Sequence, residues 1–329
     1  KPSDYFNTSA VWSGDDSEHT ISGIGHQPDF TWIKGVNIGT QHYLFDIVRG
    51  ATKIIIANGT NAESTNAQTL KSWNSDGFVL GTSDDVNGSG RTYIAWNWKE
   101  SATAGFDILT YEGSGSAQTI SHNLGVKPDM IIVKNIDSSD PPFNWRVYHS
   151  SLGADVAMKL NGTDAQSADP GYWNDTEPTS SVFSVKDSGE TNNSGQTYIA
   201  YLFAGKQGYS KFGSYVGNGN ADGTFIYTGF KPAFFLQKKS SAAGNYWNMW
   251  GYTSLSGSNT IGRRLFPNVA SAESSQDSAP MSNFLSNGVK LLQTDTDYNG
   301  SGATYIYMAF AENPFVTSTA NGSIPATAR

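Results

Sequence analysis

The sequence predicts an all-β protein made of three tandem antiparallel β-sandwich units, of jelly-roll or lectin-like type, each about 100 residues long. Two short sequence motifs each recur three times along the chain with the same period, which indicates an internal repeat. Composition agrees, since the 329 residues include 35 glycines and 12 prolines but only 15% charged residues. Such a composition is typical of short strands joined by tight turns.

The first repeated phrase closes each unit with a strand of alternating side chains. Its copies lie at residues 90–98, 195–203 and 302–310. One side of the strand carries large apolar residues, such as Ile94, Trp96 and Trp98 in the first copy, which predicts that this side lines a core. The other side begins with Tyr and continues mostly with small residues, which predicts that another layer approaches closely.

The second phrase opens each unit with a proline followed by an apolar strand. The prolines are Pro28, Pro128 and Pro232, and a strand's first residue tolerates the missing N–H group. Glycine-rich signals at residues 14–17, 113–116 and 217–220 precede them and predict β-hairpins. The prolines stand 100 and 104 residues apart and the closing tyrosines 105 and 107, so both landmarks support one period.

Further short segments raise the number to about seven strands per unit. Aromatic residues alternating with a second apolar residue predict one shared core position in the three units: Tyr43/Phe45, Trp145/Val147 and Trp247/Met249. We expect unit boundaries at 1–101, 102–208 and 209–315, followed by a polar tail at 316–329. Because the linkers at residues 100–104 and 205–208 are short, the units should pack as a compact rod or arc.

Charge and composition exclude several classes of function. A net charge of −8 repels phosphate backbones, so we expect no nucleic-acid partner. The chain has no cysteine, which excludes disulfides and thiolate metal sites. No apolar run reaches the length of a membrane span, so membrane insertion is not expected. The start at Lys1 shows neither an initiator Met nor a signal peptide, which predicts a fragment or matured part of a longer protein.

One loop resembles a calcium site. Asp295, Asp297 and Asn299 place oxygen ligands at the first, third and fifth positions, and Gly300 follows at the sixth. Against calcium, the twelfth position is Ile306, so no bidentate Glu closes the site. The alternative is an Asx-rich turn, which the recurrence of Asn before Ser-Gly in the other two units favours. No other cofactor is expected.

Loop aromatics are the candidates for sugar stacking, because glycans bind flat apolar faces beside a few polar groups. Tyr172, Trp173 and Asp175 lie in a polar loop of the second unit, and Trp73 lies in the corresponding region of the first. The alternative is that these aromatics plug the ends of the sandwiches.

Known enzyme motifs are missing from the sequence, so we expect no enzyme. The chain contains no nucleophile elbow, no phosphate-binding glycine loop and no HExxH zinc motif, and its five histidines are scattered. A pair of carboxylates from distant strands stays open as an alternative, because glycosidase acids are placed that way.

Several phrases resemble a known group of proteins, namely residues 106–111, 126–135, 208–215 and 305–315. They are similar to an uncharacterised repeat domain of tailed-bacteriophage virion proteins, common in marine phages and their prophages. This resemblance covers nearly the whole chain. It implies a virion protein of the tail or its fibres, exposed on the particle surface, with other virion proteins as partners. It supplies no catalytic residues.

Our hypothesis is therefore a non-enzymatic virion protein of the tail fibre or adsorption apparatus, whose end loops contact a host-surface glycan. One alternative is a purely structural virion or surface-decoration protein. Another is an extracellular polysaccharide-binding or polysaccharide-degrading protein. We expect a homo-oligomer: a trimer would favour a fibre, whereas a monomer would mean that the three units themselves supply a threefold-like or linear array.

Overall fold

The fold is all-β, as the sequence predicts, and its sheets are antiparallel. The computed structural model describes residues 2–137, 141–251, 260–275, 279–311, 316–319 and 322–325. The expected end of the third repeat, at residues 312–315, lies outside these ranges. None of the helices in the ranges is long and apolar enough to cross a membrane.

The first repeat forms a large sheet in the order β1-β9-β3-β4-β5-β6 and a small sheet in the order β2-β8-β7. A 3₁₀ turn, Pro2–Asp4, precedes them, and the single-turn helix α1, Asp84–Asn87, precedes β9. The strands are β1 (Phe6–Ser13), β2 (His19–Ile21), β3 (Phe30–Gly35), β4 (His42–Asp46), β5 (Lys53–Ile56), β6 (Ser64–Thr65), β7 (Leu70–Asn74), β8 (Gly77–Leu80) and β9 (Thr92–Trp98).

The second repeat has the same plan, with a large sheet in the order β10-β17-β12-β13-β14-β15 and a small sheet of β11 and β16. Two single-turn helices, α2 (Pro170–Trp173) and α3 (Gly189–Asn192), flank β16. The strands are β10 (Phe106–Glu112), β11 (Gln118–Ser121), β12 (Met130–Asn135), β13 (Arg146–His149), β14 (Val156–Lys159), β15 (Ser167–Ala168), β16 (Val182–Val185) and β17 (Thr197–Phe203).

The third repeat has a large sheet in the order β18-β27-β20-β21 and a small sheet in the order β19-β26-β25-β22. Strands β23 and β24 pair separately, and the bridge between Met249 and Leu265 joins them to β21. The strands are β18 (Ser210–Val216), β19 (Phe225–Tyr227), β20 (Pro232–Lys239), β21 (Asn248–Gly251), β22 (Thr260–Ile261), β23 (Arg263–Arg264), β24 (Ser274–Ser275), β25 (Ser282–Leu285), β26 (Gly288–Leu291) and β27 (Thr304–Ala311).

The expected polar tail contains a short hairpin. Strands β28 (Val316–Thr319) and β29 (Gly322–Pro325) pair antiparallel with each other.

The predicted hairpins at the glycine-rich turns are wrong, because each turn joins two different sheets. In the first repeat, β1 pairs with β9 of the large sheet, whereas β2 pairs with β8 of the small sheet. A buried Asn87 explains the crossing: its Nδ2 donates to the carbonyls of Ser17 (2.6 Å) and Gly81 (2.9 Å). Because the side-chain amide donates to these carbonyl groups, they need no hydrogen bond from a partner strand. Asn192 and Asn299 act alike.

The closing strands β9, β17 and β27 are buried on both faces. The small-residue face, with Tyr93 and Ala95 in the first repeat, packs against the small sheet of its own repeat. The large apolar face, with Ile94, Trp96 and Trp98, points away from that sheet into a second core. Both faces of the closing strands are therefore covered, as the alternation predicts. The sequence did not show which residues form the second core.

This second core is shared by all three repeats, so the expected rod or arc is wrong. Trp98, Phe203 and Phe310 occupy the same position on their closing strands and meet at the centre of the molecule. The distances between their ring centroids are 6.3 Å (Trp98 to Phe203), 6.2 Å (Phe203 to Phe310) and 5.7 Å (Trp98 to Phe310). The repeats thus surround a pseudo-threefold axis. A void of about 10 Å³ remains in this core, lined only by apolar side chains.

Three equivalent junctions close the ring. A main-chain N–H group of each repeat donates to a carbonyl of the next, from Glu63 to Ile136 (2.9 Å), from Gln166 to Ser240 (3.0 Å) and from Glu273 back to Val36 (2.8 Å). Two junctions add an indole: Trp145 Nε1 donates to the carbonyl of Ile56 (2.9 Å), and Trp247 Nε1 to that of Lys159 (2.7 Å). The same bond types in the same direction explain why the arrangement closes on itself.

The first repeat differs at the position of these tryptophans. Strand pairing aligns Leu44 with Val147 and Met249, so the residue matching Trp145 is His42. The predicted equivalence of Tyr43 and Phe45 is therefore wrong by one residue, and both face the core under the small sheet. The indole has moved to the neighbouring strand, where Trp32 donates from Nε1 to His42 Nδ1 at 2.9 Å.

Candidate ligand groove between the second and third repeats

The outer face of the third small sheet carries two exposed aromatic residues. Phe225 and Tyr227 flank the buried Ile226 on β19, and their exposed fractions are 42% and 58%. Strand pairing aligns Ile226 with Ile21 and Ile120. The matching outer positions are Thr20 and Ser22 in the first repeat and Thr119 and Ser121 in the second. The repeat symmetry is therefore broken here, on the surface.

A groove runs beside Tyr227, and we call it the Tyr227 groove. It is lined by Asp129 of the second repeat, by the linker 205–208 and by Lys211, Phe212, Tyr227 and Gly229 of the third, among others. Its volume of about 420 Å³ is within the range of small-molecule sites. The groove thus combines an exposed aromatic ring with polar groups from two repeats.

The linker that forms one wall is held by Asp129. Its Oδ2 accepts a hydrogen bond from the N–H of Gly205 (2.8 Å), and its Oδ1 accepts one from Ser150 Oγ (2.9 Å). Gly208 has a φ of +74°, a conformation that favours glycine, and the N–H of Tyr209 then donates to the carbonyl of Lys206 (2.9 Å). Hydrogen bonds within the protein therefore hold this wall in place.

Lys211 fixes the aromatic wall. Its Nζ donates to the carbonyl of Tyr227 (2.9 Å) and lies 4.8 Å from the centroid of the Tyr227 ring, within the range of cation–π contacts. In the second repeat the matching residue is Asp107, because Asp107 pairs with Leu202 as Lys211 pairs with Ala309. The cation is thus another feature of the third repeat.

Phe225 lies against the backbone of β26. A Cβ atom at Gly288 would stand 2.8 Å from Phe225 Cζ and 2.2 Å from the carbonyl oxygen of Ile226. Only glycine fits such a close approach, which lets the phenyl ring lie on the sheet.

The aromatic residues predicted for sugar stacking lie elsewhere, and two of them are inaccessible. Tyr172 and Trp173 form α2 and are only 8% and 2% exposed, and the guanidinium of Arg146 lies 4.0 Å from the Tyr172 ring centroid. Trp73 is partly buried against the core of the first repeat, whereas Asp175 is exposed. Tyr172 and Trp173 therefore act as the plugs that the alternative described.

The residues predicted for calcium make different contacts. Asp295 Oδ2 lies 3.2 Å and Asp297 Oδ2 3.7 Å from Arg264 Nη1, so a guanidinium compensates both carboxylates. Asn299 is buried, and its Oδ1 accepts a hydrogen bond from the N–H of Asn218 (3.0 Å). No metal-binding group of three His, Cys, Asp or Glu residues occurs in the ranges described. The melting temperature of wild type and Asp295→Ala, with and without chelator, tests the calcium prediction.

A pair of carboxyl groups, Glu100 and Asp107, lies at the first linker. The matching residues near the second linker are Gly205 and Lys211. Burial, together with the neighbouring Asp107, raises the pKa of Glu100 to about 7. Asp107 is only 2% exposed, and its Oδ2 accepts a hydrogen bond from the N–H of Asn123 (2.6 Å). Asp107 is thus buried beside the first linker, whereas Glu100 is half-buried.

The sequence prediction missed Phe225, Tyr227 and Lys211. The signal was present in the repeat itself: aligned outward positions read Thr, Thr and Phe, then Ser, Ser and Tyr. Two exposed aromatic residues side by side form a larger apolar patch than single surface residues do, and such a patch indicates an interaction site.

Comparison with known protein families gives a match over most of the chain. A family model described as a domain of unknown function (DUF7483) matches residues 1–314, a range that includes all three repeats. No curated protein matches the chain at a significant level.

Proposed function

The chain belongs to the DUF7483 family, and we propose that it is a non-enzymatic phage virion protein of the tail fibre or adsorption apparatus that binds a host-surface glycan in the Tyr227 groove. In this proposal each repeat is a two-sheet sandwich of jelly-roll or lectin-like type. The third repeat carries the binding site, while the other two complete the scaffold.

The observation that carries the proposal is the pair of exposed aromatics on β19. Sugars present flat apolar faces, which stack on aromatic rings, and hydroxyl groups, which need nearby polar partners. Tyr227 supplies the ring, whereas Lys211 and Gln207 supply polar groups at the same groove. Because the matching positions in the other repeats are Thr and Ser, the fold itself does not require aromatic residues here.

Contacts within the protein also hold the walls of the groove in place, which favours binding. Its walls belong to two repeats that share the central core, and hydrogen bonds from Gly205 and Ser150 hold Asp129 in place. A site formed before binding loses less conformational entropy when the ligand enters. The setting in a virion is supported by the resemblance of residues 106–111, 126–135, 208–215 and 305–315 to phage tail proteins.

The test is an array of bacterial surface glycans, including capsular polysaccharides and lipopolysaccharide O-chains, probed with wild type and with Phe225→Thr/Tyr227→Ser. This double variant installs the residues of the second repeat, which the same strand tolerates there. We expect wild type to bind a subset of glycans and the variant to lose at least about five-fold in affinity, since the lost stacking contact of Tyr227 removes roughly 1 kcal/mol.

The matched control is Tyr246→Ser, which removes another exposed tyrosine of the same repeat, 39% accessible and outside the lining of the groove. Its binding should equal that of wild type. If wild type binds no glycan, or if both variants bind as wild type does, the groove is not a glycan site.

A second candidate function is a purely structural virion or decoration protein. The shared central core favours it, because a rigid body with pseudo-threefold symmetry suits a spacer. Particles that assemble normally with Phe225→Thr/Tyr227→Ser, and adsorb to the host at the wild-type rate, would support this second function against the first.

A further inference from the structure

We infer that the Tyr227 groove selects acidic saccharides, in which a carboxylate, sulfate or phosphate substituent contacts Lys211 and Lys206. This inference rests on the proposed function and specifies the chemical class of its ligand.

The local charge of the groove is opposite to that of the whole chain. The net charge is −8, yet the charged residues that line the groove are Lys206, Lys211 and Asp129. Each oxygen of Asp129 already accepts a hydrogen bond, from the linker and from Ser150. Hydrogen bonds thus occupy both oxygens of Asp129, and two lysines against one aspartate give the lining an excess of positive charge.

Lys211 is placed to contact a substituent of a stacked sugar. Its Nζ lies 4.8 Å from the centroid of the Tyr227 ring and donates to the Tyr227 carbonyl. That hydrogen bond uses one of the three ammonium donors, so others can point into the groove. A sugar ring lying on Tyr227 therefore brings its exocyclic groups close to a fixed cation.

The matching place in the second repeat has the opposite charge. There Asp107 occupies the position that matches Lys211, and Glu100 occupies the position that matches Gly205 of the second linker. Aromatic residues are also missing from that place, which has Thr119 and Ser121. The cation and the aromatic platform thus occur together in the third repeat, as expected if both serve one ligand.

The experiment uses two probe pairs that differ in charge. The first pair is a galacturonic acid trimer and its methyl ester, and the second is sialyllactose and lactose. Titration calorimetry measures each affinity for the full chain at low and at physiological salt. We expect the acidic member to bind about five-fold tighter in at least one pair, and the preference to weaken as salt rises.

Variants identify the groups responsible. Lys211→Met and Lys206→Met keep the length of the side chain but remove its charge, and each should reduce the preference by about two-fold or more. Lys71→Met in the first repeat changes the net charge equally, far along the chain from the groove, and should keep the preference. Melting temperatures of all variants confirm that they are folded.

Equal affinity for both members of each pair, or a preference that persists in the double variant Lys206→Met/Lys211→Met, overturns the acidic selectivity. If neutral glycans then still require Phe225 and Tyr227, the proposed function stands without it. If the array and both probe pairs show no binding, the proposed function fails and this inference fails with it.

Discussion

The three junctions between the repeats and the three outer faces of the small sheets follow opposite rules. At the junctions, the same N–H to carbonyl bond recurs between residues 63 and 136, 166 and 240, and 273 and 36. On the outer faces, two repeats carry Thr and Ser, whereas the third carries Phe225 and Tyr227. A closed ring constrains each junction, because a change in the geometry of one junction must be accommodated by the other two. The outer faces have no such constraint, so function can differ there.

The strongest test of this contrast is to damage a junction. Trp145→Ala removes a fully buried indole from the central core and, with it, one of the hydrogen bonds to the carbonyl of Ile56. The free energy of unfolding should fall by about 3–5 kcal/mol. Denaturant unfolding should show one transition for all three repeats, because they share that core. Trp145→Phe should lose less, and separate transitions for the repeats would contradict a shared core.

The next largest effect on the free energy of unfolding is expected from pH, because three lysines near the junctions are buried. Lys34, Lys134 and Lys238 are fully buried, and burial lowers the pKa of each to about 8. Between pH 8 and 10.5 each of these lysines holds its proton in the unfolded chain but loses it in the folded chain, so its contribution to stability rises with pH there. Each lysine contributes a slope of up to about 1.4 kcal/mol per pH unit.

Denaturant unfolding between pH 8 and 9 measures this slope. Nearer pH 10 the tyrosines of the unfolded chain ionise, whereas burial keeps those of the folded chain protonated, so the tyrosines lower stability as the pH rises there. Lys134→Met should reduce the slope by about a third, since it removes one of three similar groups. A slope that is unchanged in this variant would show that Lys134 does not titrate in this range.

An exchange at the irregular junction sharpens the comparison. Trp32 and His42 together fill the space that Ile132 and Trp145 fill in the second repeat. Trp32→Ile alone leaves a cavity and His42→Trp alone overpacks the core, so each should cost about 2–3 kcal/mol. The double variant restores the arrangement of the second repeat and should lose less than the sum, with a coupling energy of at least about 1 kcal/mol. Strict additivity would refute the compensation.

The smallest effect is expected on the outer face. Phe225→Thr/Tyr227→Ser removes exposed side chains, so the free energy of unfolding should change by less than about 1 kcal/mol. The same denaturant titration as for Trp145→Ala provides a direct comparison. A loss as large as that of Trp145→Ala would show that the aromatic pair is structural, and would remove the reason for assigning it to a ligand.

Prediction from the sequence succeeded where the pattern was local. The alternation in β9, β17 and β27 identified strands buried on two faces. It failed where the partner lay far along the chain. The glycine-rich turns looked like hairpins, because a turn signal does not show whether the next strand pairs with the last one. Tyr172 and Trp173 looked accessible, because a polar loop hides the core beneath it.

By itself, the sequence determined the all-β class and the period of the repeated phrases, because these follow from side-chain alternation and turn chemistry within a few residues. Only the tertiary structure decided that the large faces of the closing strands meet in one core around a pseudo-threefold axis, and that Phe225 and Tyr227 stay outside it. The physical reason is that an apolar face must be buried but does not specify its partner. That partner depends on shape and hydrogen bonds between residues about a hundred positions apart.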